Sequence, residues 1–419
     1  MTLLNLKTGS EEISWECPVK LLNTTTSAGQ IKAVSAAEAL NCPIGSLTLK
    51  DLIADVKDVA VLVPDITRSW QDIPVMCVAI RKTLEEAGIK KVTWVIATGQ
   101  HRKMSLIEER AVLGNASKLE DNVICHVGWE NIIDTGKITS RGTPVKVERH
   151  VYEADLVILL GGICYHDLAG FAGGRKIIIP GISAKESVQA NHRLGLFEKR
   201  FHESVKVGQL EENPVALDME EYARIFLANK KSFLLNVVTD AMGRPYTYVA
   251  GDAFKAWEWG VRQAEALQTI WVDEPADVAI VSCGGYPYDL DLYQATKALT
   301  AVYDGLKQAG GILLVAGLEE GMGTPVFDHF MRLAMGDFDM AIKELEDDFT
   351  IPAYIATKTV HELKGRRCAL VTQNKDIAFP GLVTCDVNEA FGYVAGTDFE
   401  GKALFIPTGN AVHVKIKEV

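Results

Sequence analysis

The sequence predicts an α/β protein, built as two α/β domains with a ligand cleft between them. Three observations carry this. Continuous apolar, β-branched runs recur along the chain, amphipathic stretches alternate with them, and polar or charged clusters stand where the apolar runs end. A run that is apolar throughout suits a parallel strand covered on both faces, and open α/β sheets take their ligands at the carboxyl ends of such strands. At 419 residues the chain exceeds one ordinary domain and suits two or three.

VAVLVP at 59–64 is the first run, and IPVMCVAIRKTLEEAG follows it with Val75, Val78, Ala79 and Leu84 read as one helical face. KVTWVIAT at 91–98, the polar GQHRKMS and then LIEERAVLG repeat this strand, loop and helix. ADLVILLGG at 154–162 and FLLNVVTD at 233–240 are further buried strands. In DAFKAWEWGVRQAEALQTIWVDEPAD at 252–277 a helix gives way to a short acidic, Pro-containing stretch, and ADVAIVSCGG then begins a fresh strand. This places a boundary near 265–275, between an N-terminal unit 1–270, to which a strand within 400–419 can return, and a C-terminal unit 271–400. The second unit is expected to run through helix 291–309, strand 311–317, helices within 325–364 and strand 368–373, with ALFIPTGN at 403–410 as one more strand and turn. No internal repeat, low-complexity tract or long linker interrupts it.

Composition excludes several classes of partner. Lys plus Arg total 43 against 55 Asp plus Glu, for a net charge of −12, so a general phosphate-backbone binder is excluded and no nucleic acid is expected. A local basic pocket stays open. No run approaches the roughly 20 apolar residues of a membrane span, and MTLLNLKTGSEE lacks a charged-then-apolar leader, so no membrane partner and a cytoplasmic location are expected. The cysteines at 17, 42, 77, 125, 164, 283, 368 and 385 are scattered without a CxxC pair and read mostly as small buried hydrophobes.

Four polar clusters carry the candidate chemistry. Asp65-Ile66-Thr67-Arg68-Ser69-Trp70 follows a strand directly; an Asp, a Thr and an Arg there suit hydroxyls and an anion, because Arg offers a planar fork of donors. The plainer alternative is a helix cap by Thr67 or Ser69 with Arg68 solvated. Gly99-Gln100-His101-Arg102 ends the next strand, and His101 can be a general base or a merely hydrogen-bonded loop histidine. The segment from Gly161 to Gly181, with His166 and Lys176 inside it, holds six glycines in 21 residues, which let backbone amides approach a ligand. It is not a Walker A loop, because Ile177 replaces the hydroxyl, and no GxGxxG fingerprint is present. Lys176 follows Gly173, Gly174 and Arg175 and precedes three isoleucines, where a desolvated amine can be a covalent attachment point; the alternative is an exposed basic pair before a buried strand. Asn191-His192-Arg193 is the fourth cluster, and without an HExxH or a Cys/His pair any metal must draw most of its ligands from something other than protein.

Together these clusters resemble the nickel-dependent lactate racemase family, whose pattern is Asp-x-Thr-Arg, Gly-x-His, His-x-x-x-Gly-Phe-x-Gly-Gly-Arg-Lys and Asn-His. The likeness holds over roughly residues 60–200, and Tyr293, Gln294 and Lys297 extend it. The resemblance implies a racemase or epimerase of a 2-hydroxy acid that uses a nickel pincer nucleotide, a pyridinium mononucleotide with a thioamide and a thiocarboxylate. By the same resemblance Lys176 is the covalent anchor, His192 the nickel ligand, and His101 with His166 the acid/base pair. Asp65, Thr67, Gly173 and Gly174 are implied to bind the cofactor, and Arg68, Tyr293, Gln294 and Lys297 the substrate. Cofactor-making enzymes are implied as maturation partners.

The implied reaction answers a chemical problem. The α C–H of a 2-hydroxy acid is too weakly acidic for a side chain to remove easily, whereas its alkoxide gives up hydride readily, and return of hydride to the other face of the planar keto acid inverts the centre. Each enantiomer presents its hydroxyl on a different side, which calls for two bases. Proline commonly follows the motif's Arg in the family; here Ser69 and Trp70 stand there, which leaves the acid open among lactate, malate, aryl, longer aliphatic and sugar acids. Trp70 reads either as a substrate-packing ring or as a core or interdomain aromatic. Two competing readings are a non-catalytic binder of a nucleotide or phosphorylated ligand in the same cleft and a dehydrogenase with exchanging NAD, the latter disfavoured by the missing fingerprint.

Overall fold

The computed structural model describes residues 2–27, 31–396 and 399–417. Its first sheet has six strands in the spatial order Pro245–Gly251, Lys231–Thr239, Leu156–Ile163, Val59–Pro64, Thr93–Ala97 and Asn122–Cys125. All neighbours are parallel except the terminal hairpin of Lys231–Thr239 with Pro245–Gly251. The apolar run at 59–64 is explained by its two covered faces: Ala60 and Leu62 enter one core, Val59, Val61 and Val63 the other.

The helix after that strand, Ile73–Glu86, buries Ile73, Met76, Cys77, Ile80 and Leu84. Val75 and Val78 are each 47% exposed, so the face expected from them is corrected. The five buried side chains recur at helical spacing and bring more apolar bulk to the sheet, and the helix turns to seat them. Neither Thr67 nor Ser69 caps it. Instead Asp65 caps the short turn Ile66–Gln71, and the helix starts after Asp72 in a left-handed conformation.

The second sheet has five parallel strands, in the order Leu382–Thr384, Cys368–Val371, Leu306–Val315, Ala276–Ser282 and Ala403–Ile406. The helix expected over 291–309 stops at Thr300, and residues 306–309 already belong to a strand. The chain turns at Tyr303–Gly305, where a Cβ on Gly305 would meet Val414 Cγ1 at 2.4 Å.

The terminal segments depart from a simple division at 270. The hairpin of Thr2–Thr8 with Glu11–Cys17 packs Leu4, Leu6, Trp15 and Cys17 against Val278, Ile280, Leu313 and Val315 of the second sheet rather than with the first unit. Thr269–Val272 pairs in parallel with His413–Ile416, so the returning strand reaches the connector between the sheets. One continuous core runs from Leu62 and Leu159 through Ile177–Ile179 to Ala279 and Leu314, joining the two halves. Six of the cysteines are buried, and Cys42 and Cys385 are exposed. Among the described residues no helix is long and apolar enough to cross a membrane.

Candidate active site

The carboxyl ends of the strands Val59–Pro64, Thr93–Ala97 and Leu156–Ile163 deliver the candidate groups, as expected for parallel strands with loops at that end. After the first, Asp65 is buried at 3% exposure. Its Oδ1 accepts from the Thr67 backbone N–H at 3.0 Å and hydroxyl at 2.5 Å, and its Oδ2 lies 2.6 Å from His101 Nδ1. Burial pushes the Asp65 carboxyl up, but His101, Arg68 and Thr67 together outweigh it and hold it down at about 2. Arg68 Nη1 donates to the Thr67 hydroxyl at 3.0 Å. His101 sits on the turn after the second strand, where Gly99 at φ +60° turns the chain and donates to the Gly181 carbonyl.

The third strand leads to His166, Asp167 and Lys176. His166 Nδ1 accepts from the backbone N–H groups of Leu168 at 3.1 Å and Ala169 at 3.3 Å, so the ring proton belongs on Nε2. Nε2 lies 2.6 Å from Lys176 Nζ, and that contact is a hydrogen bond only if the amine is neutral and accepts. The electrostatics agree. Burial lowers Lys176 to about 7, with Arg68, Lys297 and Arg175 adding to the effect and Asp167 opposing it. Burial, reinforced by Lys176, lowers His166 to about 4. Lys176 keeps some accessible surface, yet its amine end is the part walled in by His166. Asp167 Oδ1 is 2.9 Å from His166 Nδ1 but makes no hydrogen bond. Burial raises that carboxyl, and His166, Lys297 and Lys358 overcome it and hold it well below the usual range.

The glycines beside Lys176 are sterically required. Gly173 and Gly174 have φ of +75° and +51°; a Cβ on Gly173 would meet Asn236 Oδ1 at 2.8 Å, and one on Gly174 would meet Trp257 Cδ1 at 2.5 Å. Asn236 takes the Gly174 N–H at 2.9 Å. Arg175 points away from the cluster. Its guanidinium stacks 4.1 Å over Trp257 and donates to the Ala169 carbonyl at 3.1 Å, so Arg175 is buried rather than solvated, while Lys176 is partly buried.

His192 is 4% exposed on the helix Lys185–Arg193, and its Nδ1 donates to the Val188 carbonyl at 2.9 Å. Burial, reinforced by Lys176, lowers it to about 3, so the ring is neutral and Nε2 carries the lone pair. From the other sheet, the helix Leu292–Thr300 brings Tyr293, Gln294 and Lys297. Lys297 Nζ donates to Gln294 Oε1 at 2.5 Å; burial lowers it to about 8, with Arg68 adding and Asp167 opposing. Tyr293 packs edge-on to Phe327 at 5.5 Å. Trp70 lies 5.9 Å from Tyr288, an aromatic contact across the two halves.

Arg68, His166, Lys176, His192 and Lys297 are therefore close enough to perturb one another, while His101 pairs with Asp65 and also influences Asp291. The cluster is rich in cations, with Asp167 as its interior counter-charge, and it suits an anionic ligand. Among the described residues no three His, Cys, Asp or Glu side chains group as metal ligands. A cavity of about 440 Å³ lined by Pro325, His329, Phe330 and Glu344 lies elsewhere and gathers none of these groups. Sequence reasoning missed Asp167, Asn236, Asp291 and Lys358. Asp167 adjoins His166, and Asn236 is the lone polar residue inside the run FLLNVV, so both left a signal; Lys358 left none.

Comparisons with known proteins identify the family. The family model described as the lactate racemase N-terminal domain matches residues 11–204, and the one described as the lactate racemase C-terminal domain matches 272–353. The chain is 30% identical over 396 residues to a lactate racemase of Thermoanaerobacterium thermosaccharolyticum, covering 90% of each chain. It is 31% identical over 296 residues to a lactate racemase of Lactiplantibacillus plantarum, covering 70% of this chain and 68% of that one. Its fold superposes on the lactate racemase apoprotein of T. thermosaccharolyticum with a TM-score of 0.85 at 27% identity, covering 99% of this chain and 100% of that one. A Thermotoga maritima protein at 19% identity shares the fold alone, with a TM-score of 0.71 over 91% of this chain and 98% of that one. The chain belongs to the lactate racemase family and is an isomerase.

Proposed function

We propose that this protein racemises or epimerises a 2-hydroxy acid, lactate being the substrate in its relatives' names, with a nickel pincer nucleotide tethered to Lys176. The observation that carries this is the Lys176 amine, brought to about 7 and set beside two glycines that tolerate no side chain. A neutral amine is nucleophilic, and Gly173 and Gly174, packed by Asn236 and Trp257, fix the turn that presents it. His192 fits the metal: its Nδ1 is spoken for by Val188, which leaves a neutral imidazole whose Nε2 would hold nickel. When bound, the group supplies a hydride acceptor and donor.

The chain's own residues do the rest. Arg68 and Lys297 hold the substrate carboxylate from the two halves of the molecule, with Tyr293 and Gln294 lining the same side. His101 and His166 take and return the hydroxyl proton, one for each enantiomer. With the group held on Lys176, the amine lone pair would no longer be available to His166 Nε2, which would then be free to face the substrate. On this reading the cofactor-making enzymes are maturation partners and the cytoplasm is the compartment.

Protein produced together with the cofactor-making enzymes should gain several hundred daltons, roughly a nucleotide's mass, on the peptide containing Lys176, and His192→Ala should lose nickel. An unmodified Lys176 peptide in fully active enzyme, or turnover of amino acids or sugar phosphates only, would overturn the reading. A modified protein without turnover of any 2-hydroxy acid would favour a nucleotide binder instead.

A further inference from the structure

Both oxygens of the Asp65 carboxylate are occupied from within the chain, one by Thr67 and the other by His101 Nδ1 at 2.6 Å. The Thr67 hydroxyl in turn accepts from Arg68. Arg68, Thr67, Asp65 and His101 thus form one hydrogen-bonded series, buried at Asp65 and part-exposed at His101, whose side chain keeps 33% of its surface accessible. An imidazole whose Nδ1–H is held by a buried carboxylate presents Nε2 outward as the proton acceptor, and the carboxylate stabilises the imidazolium that forms. His166 differs: Asp167 Oδ1 lies 2.9 Å from its Nδ1 without hydrogen-bond geometry, and that nitrogen takes the backbone N–H groups of Leu168 and Ala169.

We propose that Asp65 is a positioning residue for His101, fixing its ring and presenting Nε2 to the substrate, rather than a ligand of the cofactor. This rests on the acid/base role given to His101 above. The same series sets Arg68 through Thr67, so the carboxylate clamp and the base are held in one frame. The proton moves between the substrate hydroxyl and His101 Nε2; Asp65 stays ionised throughout, and no bond to it forms or breaks. The charged groups around this pair are Arg68, which acts on Asp65, Arg102, which sees both Asp65 and Glu320, and Asp291 at the start of the helix Leu292–Thr300, which sees His101 and Glu320.

The test is ¹⁵N-histidine NMR on the full-length protein, together with racemisation kinetics and intact mass of the cofactor-loaded protein. Neutral His101 should carry its proton on Nδ1. In Asp65→Asn the fraction of neutral His101 protonated on Nδ1 should fall, because the accepting carboxylate is lost. The kcat should fall on the order of 10- to 100-fold, with KM little changed and the cofactor mass retained. Neutral His101 protonated on Nε2 in the wild-type protein would overturn the proposal, a result that does not depend on the variant folding. So would an Asp65→Asn protein with wild-type kcat, or one that loses cofactor mass while the His101 tautomer is unchanged. A wild-type protein with Nδ1-protonated His101 but inactive on every 2-hydroxy acid would support the pairing and remove only the racemase reading.

Discussion

A single amine at Lys176 shows how far local environment sets chemistry. A lysine in water is protonated well above neutral pH; here burial with Arg68, Lys297 and Arg175 nearby brings it to about 7. The native state therefore binds fewer protons than the unfolded chain between about 7 and the usual lysine value. Its stability rises with pH across that window, and the lysine's unfavourable contribution is largest at and below pH 7. Lys176→Met should accordingly stabilise the apoprotein by about 1–3 kcal/mol at pH 7 and by less at pH 10, measured by urea unfolding at the two values. No gain at pH 7 would mean that the amine is solvated and charged. His166 and His192 act in the same direction, in a more acidic window. Both are depressed, to about 4 and about 3, so the native state resists their protonation and loses stability as pH falls from about 6.5 towards those values. His192→Gln should soften that acid limb, read as a smaller drop in unfolding midpoint between pH 7 and pH 5.

At the scale of the element, the turn carrying Gly173 and Gly174 is held by its neighbours more than by its own sequence. Asn236 on the adjacent strand takes the Gly174 N–H, and the Trp257 ring, stacked by Arg175, closes the space above Gly174. Gly174→Ala places a methyl 2.5 Å from Trp257 Cδ1 at a φ of +51°, which adds overpacking to a left-handed backbone. It should cost about 2 kcal/mol or more in unfolding free energy and abolish modification of Lys176. Gly136→Ala makes a control, since its φ is +70° but nothing lies within 4 Å of the added methyl, and it should cost less. Equal losses would show that the Trp257 contact is unimportant. The glycine density was visible in the sequence, but the reason for it was not, because Asn236 and Trp257 lie 62 and 83 residues from Gly174.

The whole molecule divides the labour between its two sheets. Lys176, His192 and the two glycines stand on loops and helices of the first, and Lys297 stands on a helix of the second. Removing Lys297 should therefore leave the cofactor in place while weakening the hold on substrate. Lys297→Met is expected to raise KM by 10-fold or more, with the mass on the Lys176 peptide unchanged. Loss of that mass would show instead that the second sheet helps to hold the cofactor. Trp70 against Tyr288 and the core running through Ile177–Ile179 join the half that carries Arg68 to the half that carries Lys297.

Much of this architecture was legible in the amino-acid sequence alone. A strand covered on both faces must be apolar throughout, so VAVLVP and LVILLGG announced a parallel sheet and its active end, and the spacing from His166 to His192 announced the family. What the sequence left open depended on distant partners. Val75 and Val78 were misread because the winning face of their helix is chosen by the sheet beneath it. The helix at 292 ends at Thr300, and the turn that follows sets Gly305 against Val414, 109 residues away. The N-terminal hairpin joined the second sheet because that sheet had an apolar face to cover. Asp65 and His101 stand 36 residues apart, and only the folding of two parallel strands side by side brings their side chains into contact.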